Sequence, residues 1–222
     1  MNQRRVYFIE TVIFLLILLP SIGLALGPRP EDLSFLVVAV AVIIHDVALT
    51  ALALYFVWRS GEGMAAVGWS AVQFGREAAI GVALFIPLFV GIATLEGLLN
   101  ALGLPTPSEP PSYLLPRVGV DYLLALVLLV VVAIAEETIF RGYLLRRFTQ
   151  VAGNRFLAVI VSSAIFALGH AYQGSLGVVA VGVIGVAFAL VYFWRGSLIA
   201  PIVMHFIQNF IGLLIAPRFL AG

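Results

Sequence analysis

Long apolar runs separated by short polar punctuation set the pattern of this chain. A membrane-spanning helix needs about 20 largely apolar residues, within a range of about 17–25. Seven runs come near or exceed that length. The first covers 6–26, after Arg4 and Arg5. Its Arg pair and the later Ala25-Leu26-Gly27 resemble a signal peptide, but the run is too long and carries Glu10 inside it. A retained first helix is expected, stopped by Gly27-Pro28-Arg29-Pro30. The second run, 33–58, is interrupted by His45 and Asp46 and closed by Arg59-Ser60-Gly61-Glu62-Gly63. Residues 64–77 are mixed, with Trp69 and Arg76, and predict an interfacial loop or short amphipathic surface helix. The third run, 78–102, holds Glu96 and a kinking Pro87.

Pro105, Pro107, Pro110, Pro111 and Pro116 make the next segment an extended loop, because proline cannot sit throughout a helix. The fourth run starts at Val118 and continues to about Phe148. It exceeds one span and should tilt or project from the bilayer. A turn at 150–154 follows, bordered by Arg146, Arg147 and Arg155. The fifth run is 156–171 and the sixth is 176–194, where Gly177, Gly182, Gly185 and Ala189 offer surfaces for close helix approach. The seventh, 198–215, is broken by Pro201, His205, Gln208 and Asn209.

The pattern predicts an all-α, polytopic transmembrane helix bundle of about seven spans, a single integral membrane domain over 1–222. Seven spans put the termini on opposite sides. Arg4, Arg5, Arg59, Arg76, Arg146, Arg147, Arg155 and Arg195 then fall at one end, and Arg29, Arg117 and Arg218 at the other. That asymmetry predicts a cytoplasmic N-terminus. Trp58, Trp69 and Trp194 suit interfacial anchors. Asp121 should be solvated at the start of the fourth helix.

Composition agrees. Of 222 residues, 63% are hydrophobic and 10% charged, with mean hydropathy +1.14, against about 25% charged in soluble domains. A net charge of +1 with no basic patch argues against a nucleic-acid partner. The chain has no cysteine, which removes disulfides, thiolate metal sites and a thiol nucleophile. All 12 basic residues are Arg, so Schiff-base and serine–lysine chemistry are excluded. The Arg, Ala, Val and Gly bias suits a prokaryotic source, and hence a plasma-membrane location. Acid–base or metal chemistry must draw on His45, His170, His205 and 11 carboxylates.

Against that background Glu136, Glu137 and Arg141 stand out at the end of an apolar run. An ionisable group inside a bilayer costs about 2.5–3.5 kcal/mol on insertion scales and marks a functional site by default. At about 1.5 Å of rise per residue, Glu136 lies about 16 Å from Arg147, His205 about 15 Å from Arg195 and His170 about 22 Å from Arg155. Three helices thus bring unusual residues to overlapping depths. Glu137 and Arg141 are spaced i,i+4 and can pair; Phe166 with His170 and His205 with Asn209 share that spacing. The pair is either a scaffold, a tuner of its neighbour, or both. One Arg neutralises one carboxylate, so Glu136 is left for general-base work. Asn209 is either interhelical glue or an amide donor to an oxyanion. His45 and Asp46 are adjacent and do not face each other on a helix; with Glu96 they read first as partners for other buried polar groups.

Glu136-Glu137-x-x-x-Arg141, Phe166-x-x-x-His170 and His205-x-x-x-Asn209, in this order, resemble the CPBP family, which comprises type II CAAX prenyl endopeptidases and bacteriocin-processing or immunity (Abi) proteins. The resemblance covers roughly 118–215, a catalytic core within the domain. It implies an intramembrane endopeptidase in which Glu136 activates a water that His170 helps to hold, Glu137 pairs with Arg141, and His205 and Asn209 stabilise the tetrahedral oxyanion. The family is often called metalloproteases, and a zinc site here would draw on Glu136, His170 and His205. No His-Glu-x-x-His helix is present, and Asn209 offers the electrophilic help a metal would give, so a metal-free glutamate mechanism is expected. The implied partners are membrane lipid and a peptide or lipidated, CAAX-type protein substrate. The alternative is a non-enzymatic membrane protein, a transporter or an immunity or scaffold protein with a retained polar pocket. Paired broken segments of the transporter kind are not evident.

Overall fold

The computed structural model describes residues 2–26, 33–70, 73–104 and 112–217. The expected stop at Gly27-Pro28-Arg29-Pro30, the prolines at 105, 107, 110 and 111, and Arg218 lie outside the described residues. Within them the chain is helical, with eight α-helices: α1 Gln3–Leu26, α2 Phe35–Arg59, α3 Phe74–Ala101, α4 Gly119–Glu137, α5 Leu145–Ala152, α6 Arg155–Gly169, α7 Gly174–Arg195 and α8 Ile199–Phe210. A π-helical turn, Thr138–Leu144, joins α4 to α5 without a break, and a second, Ile211–Ile215, extends α8.

Five rods are long and apolar enough to cross a membrane: Gln3–Gly23, Phe35–Arg59, Phe74–Ala101, Gly119–Ala152 and Ala171–Arg195. Arg155–Gly169 and Ile199–Ile215 are apolar but shorter. The seven runs are therefore five full-length rods and two short ones. Outward faces carry large apolar residues such as Leu16, Ile44, Ile86, Leu123 and Leu190, as a lipid-facing surface requires.

Local sequence sets several ends. The Ser34 hydroxyl accepts from Val37 N–H to start α2, and the Asn154 side-chain Oδ1 accepts from Leu157 N–H to start α6, each satisfying a donor the first turn leaves free. Asp121 holds the start of α4, accepting from Arg117 N–H (2.9 Å) and Val118 N–H (3.1 Å); it is a cap as well as a solvated group.

α2 and α4 lie side by side. Phe35 and Ala39 pack with Ala125, Leu128 and Leu129. Further along, Leu49, Ala53, Phe56 and Val57 pack with Ile139, Phe140, Tyr143 and Leu144, and Phe56 stacks on Tyr143 with centroids 6.2 Å apart. α6 meets α7 at small residues: a Cβ on Gly185 would sit 3.1 Å from Ser163 Cβ, and one on Gly182 3.7 Å from Ala167 Cβ. Gly81 of α3 lies against α8, where a Cβ would come 2.7 Å from Ala200 O.

The Arg-rich ends of these helices gather at one end of the bundle. Arg4 donates to Val151 O. Arg59 and Arg147 pair with Glu10 at 3.0 and 3.7 Å, and Arg146 and Arg147 with Glu62, each at 2.6 Å. Arg195 pairs with Glu77 at 2.6 Å. Trp58 and Trp194 are exposed there, as anchors should be, whereas Trp69 packs inside against α5 residues and donates to Thr138 Oγ1 at 3.2 Å. The segment 64–69 is accordingly not a surface helix. It is a single 3₁₀ turn, Met64–Val67, tucked beneath the π turn, with Leu198 N–H donating to Gly68 O at 3.0 Å.

Candidate active site

The site forms where α4 passes into its π turn. All seven residues of Thr138–Leu144 are buried. A π turn spreads the ladder from i→i+4 to i→i+5, and such turns are frequent at functional sites. Here the turn is held from outside the helix. Ser162 Oγ donates to Phe140 O at 3.0 Å, and Thr138 Oγ1 donates back to Ile134 O at 2.7 Å. The side chains on either side of the turn are thereby fixed against α6.

Glu137 is fully buried and receives two donors on the same oxygen. Arg141 Nη1 donates to its Oε1 at 2.7 Å, and His205 Nδ1 at 2.8 Å. A carboxylate only accepts, so this bond places a proton on His205 Nδ1. Arg141, 2% exposed, donates a further bond to Gly185 O at 3.2 Å. Its guanidinium lies 4.4 Å from the Phe166 ring centroid and 5.2 Å from that of Phe188. Charge, hydrogen bonds and ring faces all hold it. The i,i+4 spacing foretold the Glu137–Arg141 pair. It gave no hint of His205, which lies 68 residues away on α8.

Glu136 sits beside this cluster with a different environment. Its side chain is 18% exposed, its Oε2 has no hydrogen-bond partner among the described residues, and His205 Nε2 stands 3.6 Å away. His205 is thus placed between the two carboxylates, bonded to one and facing the other.

His170 caps α6. That helix has 15 residues, about 22 Å of rise against a hydrocarbon core of about 30 Å. Its C-terminus therefore ends inside the membrane, which is how a helix-end histidine comes to be deep. His170 Nδ1 donates to Phe166 O at 3.0 Å, since a carbonyl can only accept. In the neutral ring this leaves the Nε2 lone pair free. The Phe166 ring packs 4.8 Å from that of His170 and 6.0 Å from that of His205, so one aromatic orients both histidines and supports Arg141. Asn209, one turn beyond His205 on α8 and half-buried, makes no hydrogen bond among the described residues.

Residues 119–211 match the family model described as Type II CAAX prenyl endopeptidase Rce1-like. The match covers this segment of the chain and not the rest. It contains Glu136, Glu137, Arg141, His170, His205 and Asn209, while α1–α3 lie outside it. A curated relative, the membrane-embedded CAAX protease MroQ of Staphylococcus aureus (strain USA300), is 37% identical over 86 residues, covering 33% of this chain and 31% of MroQ. The chain thus spans about a third of that relative's length. No solved structure matches.

Among the described residues no three His, Asp or Glu side chains converge as a group able to hold an ion, and His205 has committed Nδ1 to Glu137. Glu136, His170 and His205 as placed do not form the ligand set expected if zinc took part.

Three contributors to the site are absent from the sequence motifs: Gly185 O, Phe188 and Asp46. Asp46, on α2, is buried. Its signal in the sequence was the charge itself, set in an apolar run.

Proposed function

We propose that this chain is an intramembrane endopeptidase that hydrolyses a peptide bond of a membrane-associated substrate of the prenylated CAAX type through a glutamate-activated water. The observation that supports this is Glu136 Oε2, buried without a hydrogen-bond partner among the described residues and 3.6 Å from His205 Nε2, inside the segment that matches the family model. Glu136 takes one proton from a water as its oxygen attacks the scissile carbonyl carbon. The His170 Nε2 lone pair accepts the water's other hydrogen, which aims the oxygen lone pair at the substrate. The oxyanion that forms accepts hydrogen bonds from the Asn209 amide and, in its doubly protonated form, from His205 Nε2. Glu136 then passes its proton to the departing amine as the C–N bond breaks. Arg141 and Glu137 fix His205 rather than touch the substrate. The reading is metal-independent, with the protein in a prokaryotic plasma membrane and the Arg-rich end, including the N-terminus, in the cytoplasm.

Purified protein acting on a farnesylated CAAX-type peptide tests it. Wild type cleaves, with or without a strong chelator. Glu136→Ala and His170→Ala abolish cleavage, by at least about 10²-fold, while eluting as folded protein. Unchanged hydrolysis by Glu136→Ala would sink the mechanism, and activity lost to chelator and restored by zinc would replace it with a metal-assisted one.

A further inference from the structure

α2 carries a polar stripe that the Rce1-like segment does not include and the mechanism above does not use. Asp46 is buried. Contrary to the expectation from helix spacing, the adjacent His45 reaches it: Asp46 Oδ1 accepts from His45 Nδ1 at 3.1 Å, because the two side chains bend toward each other, while Oδ2 is buried with no partner among the described residues. Thr50 Oγ1, one helical turn further on the same face, is likewise buried without a partner. Unsatisfied polar atoms on an apolar helix are costly and call for a partner.

The helix register says what they face. Ala39 of α2 and Leu129 of α4 share one cluster, and Phe56 stacks on Tyr143. Asp46 lies seven residues beyond Ala39, as Glu136 lies seven beyond Leu129. The two carboxylates therefore stand at one level on adjacent helices. Leu49 and Ala53, beside the stripe, pack with Phe140 and Phe166.

The polar groups the mechanism uses have roles of their own. Arg141 and His205 both donate to Glu137 Oε1; in the proposed reaction Glu136 and His170 take the water, and Asn209 meets the oxyanion. An extended peptide also brings an N–H donor and a C=O acceptor at every residue, and within the membrane these need partners from the protein.

We propose that Asp46 and Thr50 form a subsite for the substrate's backbone. Asp46 Oδ2 accepts an N–H from the peptide beside the scissile bond, and Thr50 Oγ1 donates to a neighbouring carbonyl. His45, partly exposed, holds Asp46 by Oδ1 and keeps Oδ2 turned to the site. The inference rests on the proteolytic reading above.

Steady-state cleavage of a farnesylated CAAX-type peptide by purified protein tests it. Asp46→Ala raises KM about tenfold with kcat within about threefold, the signature of lost uniform binding. Asp46→Asn keeps an acceptor oxygen and recovers most of that KM. Thr50→Val, nearly isosteric, raises KM about threefold. A packing role alone would reduce the folded yield and leave KM in place. Unmoved KM in Asp46→Ala and Thr50→Val, or Asp46→Asn no better than Asp46→Ala, overturns the subsite. Should Asp46→Ala not fold, Thr50→Val decides by itself. A wild type that cleaves nothing overturns the proteolytic reading and the subsite with it, whereas an active wild type with unmoved variants overturns the subsite alone.

Discussion

Arg141 is the residue on which the site's geometry depends. It is nearly sealed from solvent, yet its charge is met by Glu137, its second nitrogen by Gly185 O and its flat faces by Phe166 and Phe188. Removing one partner of a buried pair leaves an uncompensated charge, which costs about 3–5 kcal/mol. Arg141→Met should therefore lower stability by about 3 kcal/mol, the lower end of that range, because His205 still donates to Glu137. The measurement is the unfolding midpoint in detergent. The double variant with Glu137→Leu should recover part of the loss, since a matched apolar pair leaves no stranded charge; a double variant worse than the sum of the singles would show that the pair is not the cause. The Glu137–Arg141 contact was legible because both residues sit on one helix at one spacing. The His205–Glu137 bond was not, since it depends on how α8 is laid against α4, and nothing in either segment states that alignment.

The π turn is the element that distinguishes this rod from an ordinary span. It is packed so tightly on the 3₁₀ turn Met64–Val67 that a Cβ on Gly142 would come within 2.9 Å of Val67 O, a backbone atom. Gly142→Ala must push the two turns apart and should cost about 1–3 kcal/mol. Because the turn carries Arg141, peptide cleavage should fall with it. Gly91→Ala on α3 has nothing within 4 Å of the new Cβ and should be neutral or stabilising by up to about 1 kcal/mol through helix propensity. Paired unfolding curves check both, and equal effects would remove the packing argument. The sequence signalled that the fourth run was too long for one span, and predicted tilt or projection. The rod does run on, through Leu145–Ala152. The π turn within it was not foreseeable, because its supports come from distant segments: Ser162 on α6 and Trp69 below. For the same reason the mixed stretch after Gly63 read as an interfacial loop or a short surface helix, where the structure has a 3₁₀ turn packed under the π turn. Composition does not separate a turn lying on the membrane from one inserted under a helix.

At the scale of the whole molecule the charges divide by role. The apolar pattern and the Arg asymmetry were enough to predict the helical bundle and to group eight arginines at one end; the contacts among Glu10, Arg59, Glu62, Arg146 and Arg147 bring most of that end together in one network. What the pattern left open was which carboxylates belong to this network and which to the site. Glu62, in the connection after α2, is the network's hub: it accepts from Arg146, Arg147 and Gln150. Burial alone would raise the proton affinity of its carboxyl, but the hydrogen bonds from Arg146, Gln150 and Arg147 and the charge of Arg147 outweigh it, so its pKa lies below the ordinary value. A carboxyl whose folded-state pKa is depressed adds stability that is fully present above its unfolded value, about 4.3, and is lost as pH falls through the folded value. The unfolding midpoint in detergent should thus be insensitive to Glu62 from neutral pH down to about pH 5 and should drop in more acid solution. Glu62→Gln should start lower at neutral pH, because Arg146 and Arg147 lose their counter-charge, and should show a shallower acid decline than wild type. An acid decline as steep in Glu62→Gln as in wild type would mean that another carboxylate controls how this end of the bundle comes apart.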